Sequence, residues 1–127
     1  MWFAKSNKMQ NIKELVEDLA KMISEGKILE AFDKYYADDV VMQENEDAPR
    51  VGKAVNLEYE KAFVNGITEM HDGKTLGIAV GDNYSTIESF MDVTHKDWGR
   101  IARSQVACQT WRDGKVVKEK FYYNNAK

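Results

Sequence analysis

The apolar residues change their spacing partway along the chain, and this limits the possible folds more than any other feature. Up to Gly66 they recur every three or four residues, the period of amphipathic helices. Beyond Gly66 the period moves towards two, the signature of strands. From Asn11, the residues Ile12, Leu15, Val16, Leu19, Met22 and Ile23 form one apolar stripe. Glu14, Glu17, Asp18 and Lys21 occupy the other side, and Gly26 is a natural stop. Ile28, Leu29, Phe32, Tyr35 and Tyr36 mark a second helix. Asp38-Asp39 is expected to end it, with Val40 to Glu44 as a short strand, so Tyr36 to Glu44 is the junction of helix and sheet. Asn45 to Arg50 reads as a loop holding the only proline, Pro49. Gly52 precedes a third helix with Val55, Tyr59, Ala62 and Phe63 on one face, closed by Asn65-Gly66.

Four strand-rich stretches follow. Ile67 to Val80 holds one strand or a bulged pair, and Gly81-Asp82-Asn83 turns the chain. Tyr84 to His95 and Arg100 to Arg112 are long strands. Asp113-Gly114 is a strong hairpin signal before Val116 to Tyr123. Helices followed by an antiparallel meander make an α+β pattern, in which three amphipathic helices cover the apolar face of a curved sheet. The 127 residues suit one domain over residues 11–127, with residues 1–10 as a flexible tail whose Trp2 and Phe3 dock on the domain or a partner.

Composition removes several function classes. A formal charge of -3 provides no basic footprint for nucleic acid. One cysteine, Cys108, precludes an internal disulfide and fits a reducing compartment. No apolar run approaches the roughly 18 residues of a membrane span, and the N-terminus has no secretory apolar region, so a cytoplasmic protein is expected. There is no Gly-rich phosphate loop, serine elbow or zinc motif. The two histidines, His71 and His95, are too far apart in sequence to suggest a metal site, and no cofactor is expected.

Strand parity supplies candidate pocket residues. If Ala107 points inward, so do Gln105, Gln109 and Trp111, with Cys108 on the opposite, partner-facing side. On the last strand Val117, Glu119, Phe121 and Tyr123 share the more apolar face, and Lys118 and Lys120 the other, which carries Glu119 inward. A buried glutamate needs a partner, such as Gln105 or a tyrosine hydroxyl. For Glu119 and the two glutamines, ligand contact and cross-strand hydrogen bonding are both open. One of Tyr35 and Tyr36 packs while the other can turn its hydroxyl into a pocket. His71 is placed at the pocket mouth, near Glu44 or Glu119, or else in an exposed loop. His95, before a turn, is expected to be exposed.

The order of Tyr36-Ala37-Asp38-Asp39-Val40-Val41, Gly52-Lys53, Val80-Gly81-Asp82 and Trp111-Arg112-Asp113-Gly114-Lys115-Val116-Val117 resembles the SnoaL-like branch of the nuclear transport factor 2-like superfamily over residues 12–123. The resemblance implies a cone-shaped α+β barrel, three N-terminal helices packed on a curved, mainly antiparallel sheet. It also implies a deep pocket and a homodimer through the sheet. It does not imply one activity, because the superfamily spans isomerases, cyclases, dehydratases and binding domains. Counting from the paired aspartates places Glu44 where ketosteroid isomerase relatives carry their general base. The oxyanion-hole positions of those relatives fall on Leu19 or Ala20 and on Val106 or Ala107, none of which donates a side-chain hydrogen bond. Steroid isomerisation is therefore disfavoured. The expected function is binding of a small apolar or amphipathic molecule, with Glu44, Tyr36, His71, Gln105, Gln109, Trp111 and Glu119 lining the pocket. The rival readings are an acid/base enzyme using Glu44 and a non-catalytic dimeric interaction module.

Overall fold

The structure, a computed structural model, describes the backbone of residues 2–125 and the side chains of residues 11–125. Three helices, α1 (Trp2–Ser24), α2 (Ile28–Tyr35) and α3 (Lys53–Gly66), pack on six strands: β1 (Tyr36–Glu44), β2 (Arg50–Val51), β3 (Ile67–Val80), β4 (Tyr84–His95), β5 (Gly99–Arg112) and β6 (Lys115–Tyr122). The strands form one curved sheet in the order β2-β1-β6-β5-β4-β3. Among the described residues only the β1–β6 pair is parallel, and this is the α+β architecture expected of the chain. The docking expected of Trp2 and Phe3 lies outside the described side chains.

The expected stripe of α1 is buried or half-buried except at Ile23, which is exposed: Ile12, Val16 and Leu19, with Ala20 beside them, belong to the main core cluster with Phe32, Tyr35, Tyr36, Val40, Met42 and Val116. Gly26, at φ 82°, ends the helix in a Schellman motif. Its N–H donates to Ile23 O at 3.0 Å, and the Lys27 N–H donates to Met22 O at 2.9 Å. The second helix stops one residue earlier than Tyr36, and Asp38-Asp39 lies within β1. The pairing of β1 with β6 shifts register between Tyr36 and Val41. Both aspartates are exposed in that irregularity, with Asp39 Oδ1 accepting from Arg112 Nη2 at 3.0 Å. A bulge can thus carry two acidic residues outward without ending the strand.

The inward face of α3 also differs from expectation. Val55 is exposed, while Asn56 is fully buried. Its amide donates to the Arg50 and Gly52 carbonyls at 3.0 and 2.9 Å and accepts from Arg50 Nε at 3.0 Å. Asn56 thereby anchors the helix start to β2, and rotates Glu60 and Phe63 towards the sheet, one and two turns later. At the other end, His95 is buried rather than exposed. Its Nδ1 accepts from the Asp97 N–H at 3.1 Å, which leaves Nε2 to donate to Ala62 O at 3.0 Å. Its ring stacks on Trp98 at 3.9 Å and beside Phe63.

The β4–β5 pairing runs unbroken from Tyr84↔Thr110 to His95↔Gly99. Asp113 and Gly114, at φ 52° and 77°, form the two-residue hairpin that follows. Trp111 pairs with Val116 but Thr110 with Lys118, so Val117 is the extra residue of a bulge. Val116 takes the buried place expected for Val117, and parity is restored by Glu119.

Gly66 holds the α3–hairpin contact together. A Cβ there would lie 2.0 Å from His95 Nε2, while the backbone itself is not left-handed. Gly66→Ala should therefore destabilise the chain by about 1–3 kcal/mol through overpacking alone. In a His95→Ala background the same change should cost far less. Urea unfolding of the four proteins in this cycle measures the difference; equal costs in both backgrounds would refute the clash.

Candidate functional site

Helices and sheet enclose a cavity of about 630 Å³, the size of a small-molecule site. Its apolar walls come from Leu19 and Ala20 of α1, Phe32 of α2, and Ile87, Ala107 and Phe121 of the sheet. The α1 and late-strand positions that would hold oxyanion donors in an isomerase, occupied here by Leu19, Ala20 and Ala107, thus do face the cavity and add only apolar surface.

The polar end is built on one directional chain of hydrogen bonds. An indole N–H can only donate. Trp111 Nε1 donates to Ser85 Oγ at 2.8 Å, so the Ser85 hydroxyl is left to donate onward to Gln109 Oε1 at 2.7 Å. That fixes the Gln109 amide, whose Nε2 donates to Glu119 Oε2 at 2.7 Å. From the other side, the Tyr36 hydroxyl donates to Glu119 Oε1 at 2.5 Å. All five residues are buried. The sequence places Trp111, Ser85, Gln109 and Glu119 on three neighbouring strands, and the α2–β1 junction delivers Tyr36. Burial pushes the Tyr36 phenol well above its usual range, reinforced by the adjacent Glu119, so Tyr36 keeps its proton and remains the donor.

Burial also pushes Glu119 up to about 7, despite the hydrogen bonds from Gln109 and Tyr36 that favour its charge. A second carboxyl, Glu60 of α3, lines the same cavity. Burial raises it to about 8, helped by the like charges of Glu119 and Glu44, and it has no hydrogen bond among the described residues. Glu44 is different. Its Oε2 accepts from Arg50 Nη2 at 2.7 Å, and the Arg50 guanidinium lies 3.7 Å over the Tyr59 ring. Its Oε1 stands 3.5 Å from the Tyr123 hydroxyl. Burial first, then the Glu44 charge, raises Tyr59 to about 12 and also lifts Tyr123.

Of the expected site residues, Glu44, Tyr36, Gln105 and Glu119 line the cavity. Gln109 and Trp111 stand behind Glu119 as its supports, outside the lining. His71 is elsewhere. It lies on the edge strand β3, where its Nε2 is 2.7 Å from Thr94 Oγ1 and its Nδ1 3.4 Å from Glu69. The bulges of β3 put it away from both Glu44 and Glu119. Three functional groups were missed from sequence. Arg103 shares the parity of Gln105 and Ala107 and was legible on that ground. Glu60 follows Asn56 by four residues, but the helix face was assigned to its apolar residues. Arg50 reaches Glu44 only through the closure of the loop, for which no local pattern exists. No group of three His, Cys, Asp or Glu side chains among the described residues is placed to hold a metal.

The two raised carboxyls have a thermodynamic consequence. A folded-state pKa above the unfolded value means that the native chain holds protons the unfolded chain releases, so stability falls as pH rises through that window. For Glu119 the window runs from about 4.5 to about 7, and for Glu60 from about 4.5 to about 8. Urea unfolding from pH 5 to 8 should show stability declining. Glu60→Gln should flatten the decline, including its upper part between pH 7 and 8. A slope unchanged in that variant would contradict this placement of Glu60.

The chain matches the family described as SnoaL-like domain over residues 9–123. No curated protein matches it. Among solved structures it is similar to a Mesorhizobium loti protein named as a candidate SnoaL-like polyketide cyclase, with 28% identity, a TM-score of 0.79, and coverage of 88% of this chain and 98% of that one. A Catenulispora acidiphila protein of ketosteroid isomerase-like fold, in complex with trimethylamine, superposes with a TM-score of 0.70 at 17% identity, covering 88% and 86%. SalBIII, an epoxide hydrolase/cyclase-like enzyme of pyran ring formation in the polyether salinomycin, does so at 0.74 and 16%, covering 91% and 92%. With the family match spanning nearly its whole length and the fold shared by all three structures, the chain belongs to the SnoaL-like domain family.

Proposed function

We propose that the chain binds a largely apolar or amphipathic small molecule in this cavity and that Glu119 exchanges a proton with it. One observation carries the reading: an apolar cavity ends on a buried carboxyl whose two oxygens are each held by an oriented donor. A carboxyl at about 7 is matched to proton transfer near neutrality, in either direction. Glu60, higher still, supplies a protonated acid on the facing helix. Glu44, the base in the rival acid/base reading of the sequence, is paired with Arg50 and serves here as a wall group. The names of relatives as polyketide cyclase and epoxide hydrolase/cyclase-like enzyme are consistent with acid/base work in such a pocket.

Binding and chemistry are tested separately. A thermal-shift screen with apolar carboxylic acids, sterols and aromatic polyketides should raise the unfolding temperature. Ala107→Phe, which fills the cavity floor, should abolish the rise without unfolding the chain. With a ketone ligand from that screen, solvent deuterium should enter next to the carbonyl. Glu119→Gln should slow this exchange at least about 100-fold while the thermal shift remains. Exchange at the wild-type rate in Glu119→Gln would leave only binding.

A homodimer through the outer face of the sheet is a second element of the proposal. Exposed Tyr84 and Tyr122 flank Cys108 there, aromatic surface of the kind interfaces favour, and Lys120, opposite Cys108, is paired with Glu46 at 2.9 Å. Sedimentation at micromolar concentration should give a dimer, and Tyr122→Glu a monomer; a monomeric wild type would dispose of this interface.

A further inference from the structure

Two cations line the cavity among the described residues, and their surroundings differ. Lys74 pairs with Asp72 at 3.5 Å. Among the described residues Arg103 of β5 has no ion pair and no hydrogen bond, and its Nε is buried without a partner. Its guanidinium lies 3.8 Å from the centre of the Tyr123 ring, which holds the plane in place without satisfying its donors. An arginine fork is the side chain best matched to a planar carboxylate, and leaving its buried Nε–H unmet is unfavourable. The other charged groups at the cavity are paired or are carboxyls: Arg50 holds Glu44, Tyr36 and Gln109 hold Glu119, and Asp72 holds Lys74. Among the charged groups, the donor capacity left unmet is that of Arg103, and it calls for an anion.

We propose that Arg103 is an anion subsite that takes the carboxylate of an amphipathic carboxylic acid, whose apolar body lies along the sheet over Met91 and Ile87 towards Glu119. This rests on the reading of the cavity as a ligand pocket and names the ligand class. The register supports the direction. Glu119 pairs with Gln109, six residues along β5 from Arg103. Six residues of strand span up to about 20 Å, which the two inward side chains shorten. Between them the floor is mostly apolar, with Ala107 and Phe121 paired across β5 and β6. The cavity carboxyls do not cancel the attraction. Glu44 is neutralised by Arg50, and burial keeps Glu60 mostly protonated at neutral pH and Glu119 partly so.

Calorimetric titration of the full chain at pH 6.5 with octanoate and with 1-octanol tests this. The two probes share an apolar body and differ in the head group. Octanoate should bind wild type at least about tenfold more tightly than the alcohol, as charge-assisted hydrogen bonds to a fixed guanidinium require. Arg103→Met should bring octanoate to the level of octanol and leave octanol within about twofold. Arg103→Lys, which keeps the charge but not the fork, should fall between. Equal affinities in wild type, a comparison that needs no variant, would overturn the anion subsite while leaving the apolar pocket intact. A preference that survives in Arg103→Met would overturn it as well, by placing the carboxylate elsewhere. If neither probe binds, the ligand-pocket reading fails and takes this proposal with it.

Discussion

The polar end of the cavity depends on the donor-only character of one indole. Because Trp111 cannot accept, Ser85 must donate, Gln109 must present its amide nitrogen, and Glu119 must accept. The chain has one sense of direction. It binds β4, β5 and β6 together through side chains as well as through their ladder. Tyr36 closes it from the α2–β1 junction, so the helix layer is tied to the same carboxyl. A buried carboxyl is costly when its oxygens lack partners. Here each oxygen has one, and each retains a further lone pair for a ligand. A fold can keep an ionisable group in its core on these terms.

The same reasoning separates three carboxyls that a count of charges would treat alike. Glu44 is neutralised because the loop after β1 returns Arg50 beside it, and Asn56 and the Tyr59 ring hold that arginine in place. Glu119 has donors but no cation in contact. Glu60 has neither among the described residues, and burial acts on it with the least opposition. The order of proton affinity, Glu60 above Glu119, follows from this gradation of partners. Two carboxyls whose surroundings separate their proton affinities are the arrangement in which acid and base roles can be divided.

What was legible in the sequence was local. The α1 stripe, the Gly26 stop, the Asp113-Gly114 hairpin and the bounds of β4 follow from period and turn chemistry, which a few neighbouring residues determine. Glu119 was found because alternation along a strand is equally local. The failures have non-local causes. A bulge at Val117 shifts parity by one residue, and a bulge around Asp38-Asp39 lets a strand begin where a helix stop was read. His95, expected to be exposed, is buried, and His71, read either at the pocket mouth or as exposed, is exposed on the edge strand. Gly66 leaves room for one ring, while the bulged edge strand carries the other away from the cavity. Arg50 finds Glu44 through the closure of a loop. Arg103 was within reach of parity, since it shares the face of Gln105 and Ala107.

Where the apolar residues sit constrains the chemistry as strongly as the polar ones do. In an isomerase of this fold, the oxyanion is met by donors from the first helix and a late strand. In this chain Leu19, Ala20 and Ala107 leave those positions apolar. An oxyanion formed near them would have no donor to replace the water it lost. In the proposed reading charge would develop along the sheet instead, where Tyr36 and Glu119 stand at one end and Arg103 at the other. The helices would then be an apolar cover over a ligand lying against β5. A compact polycyclic ketone has no use for two polar points separated by most of a strand, whereas an elongated molecule with an acidic head and a reactive carbon several bonds away can meet both at once.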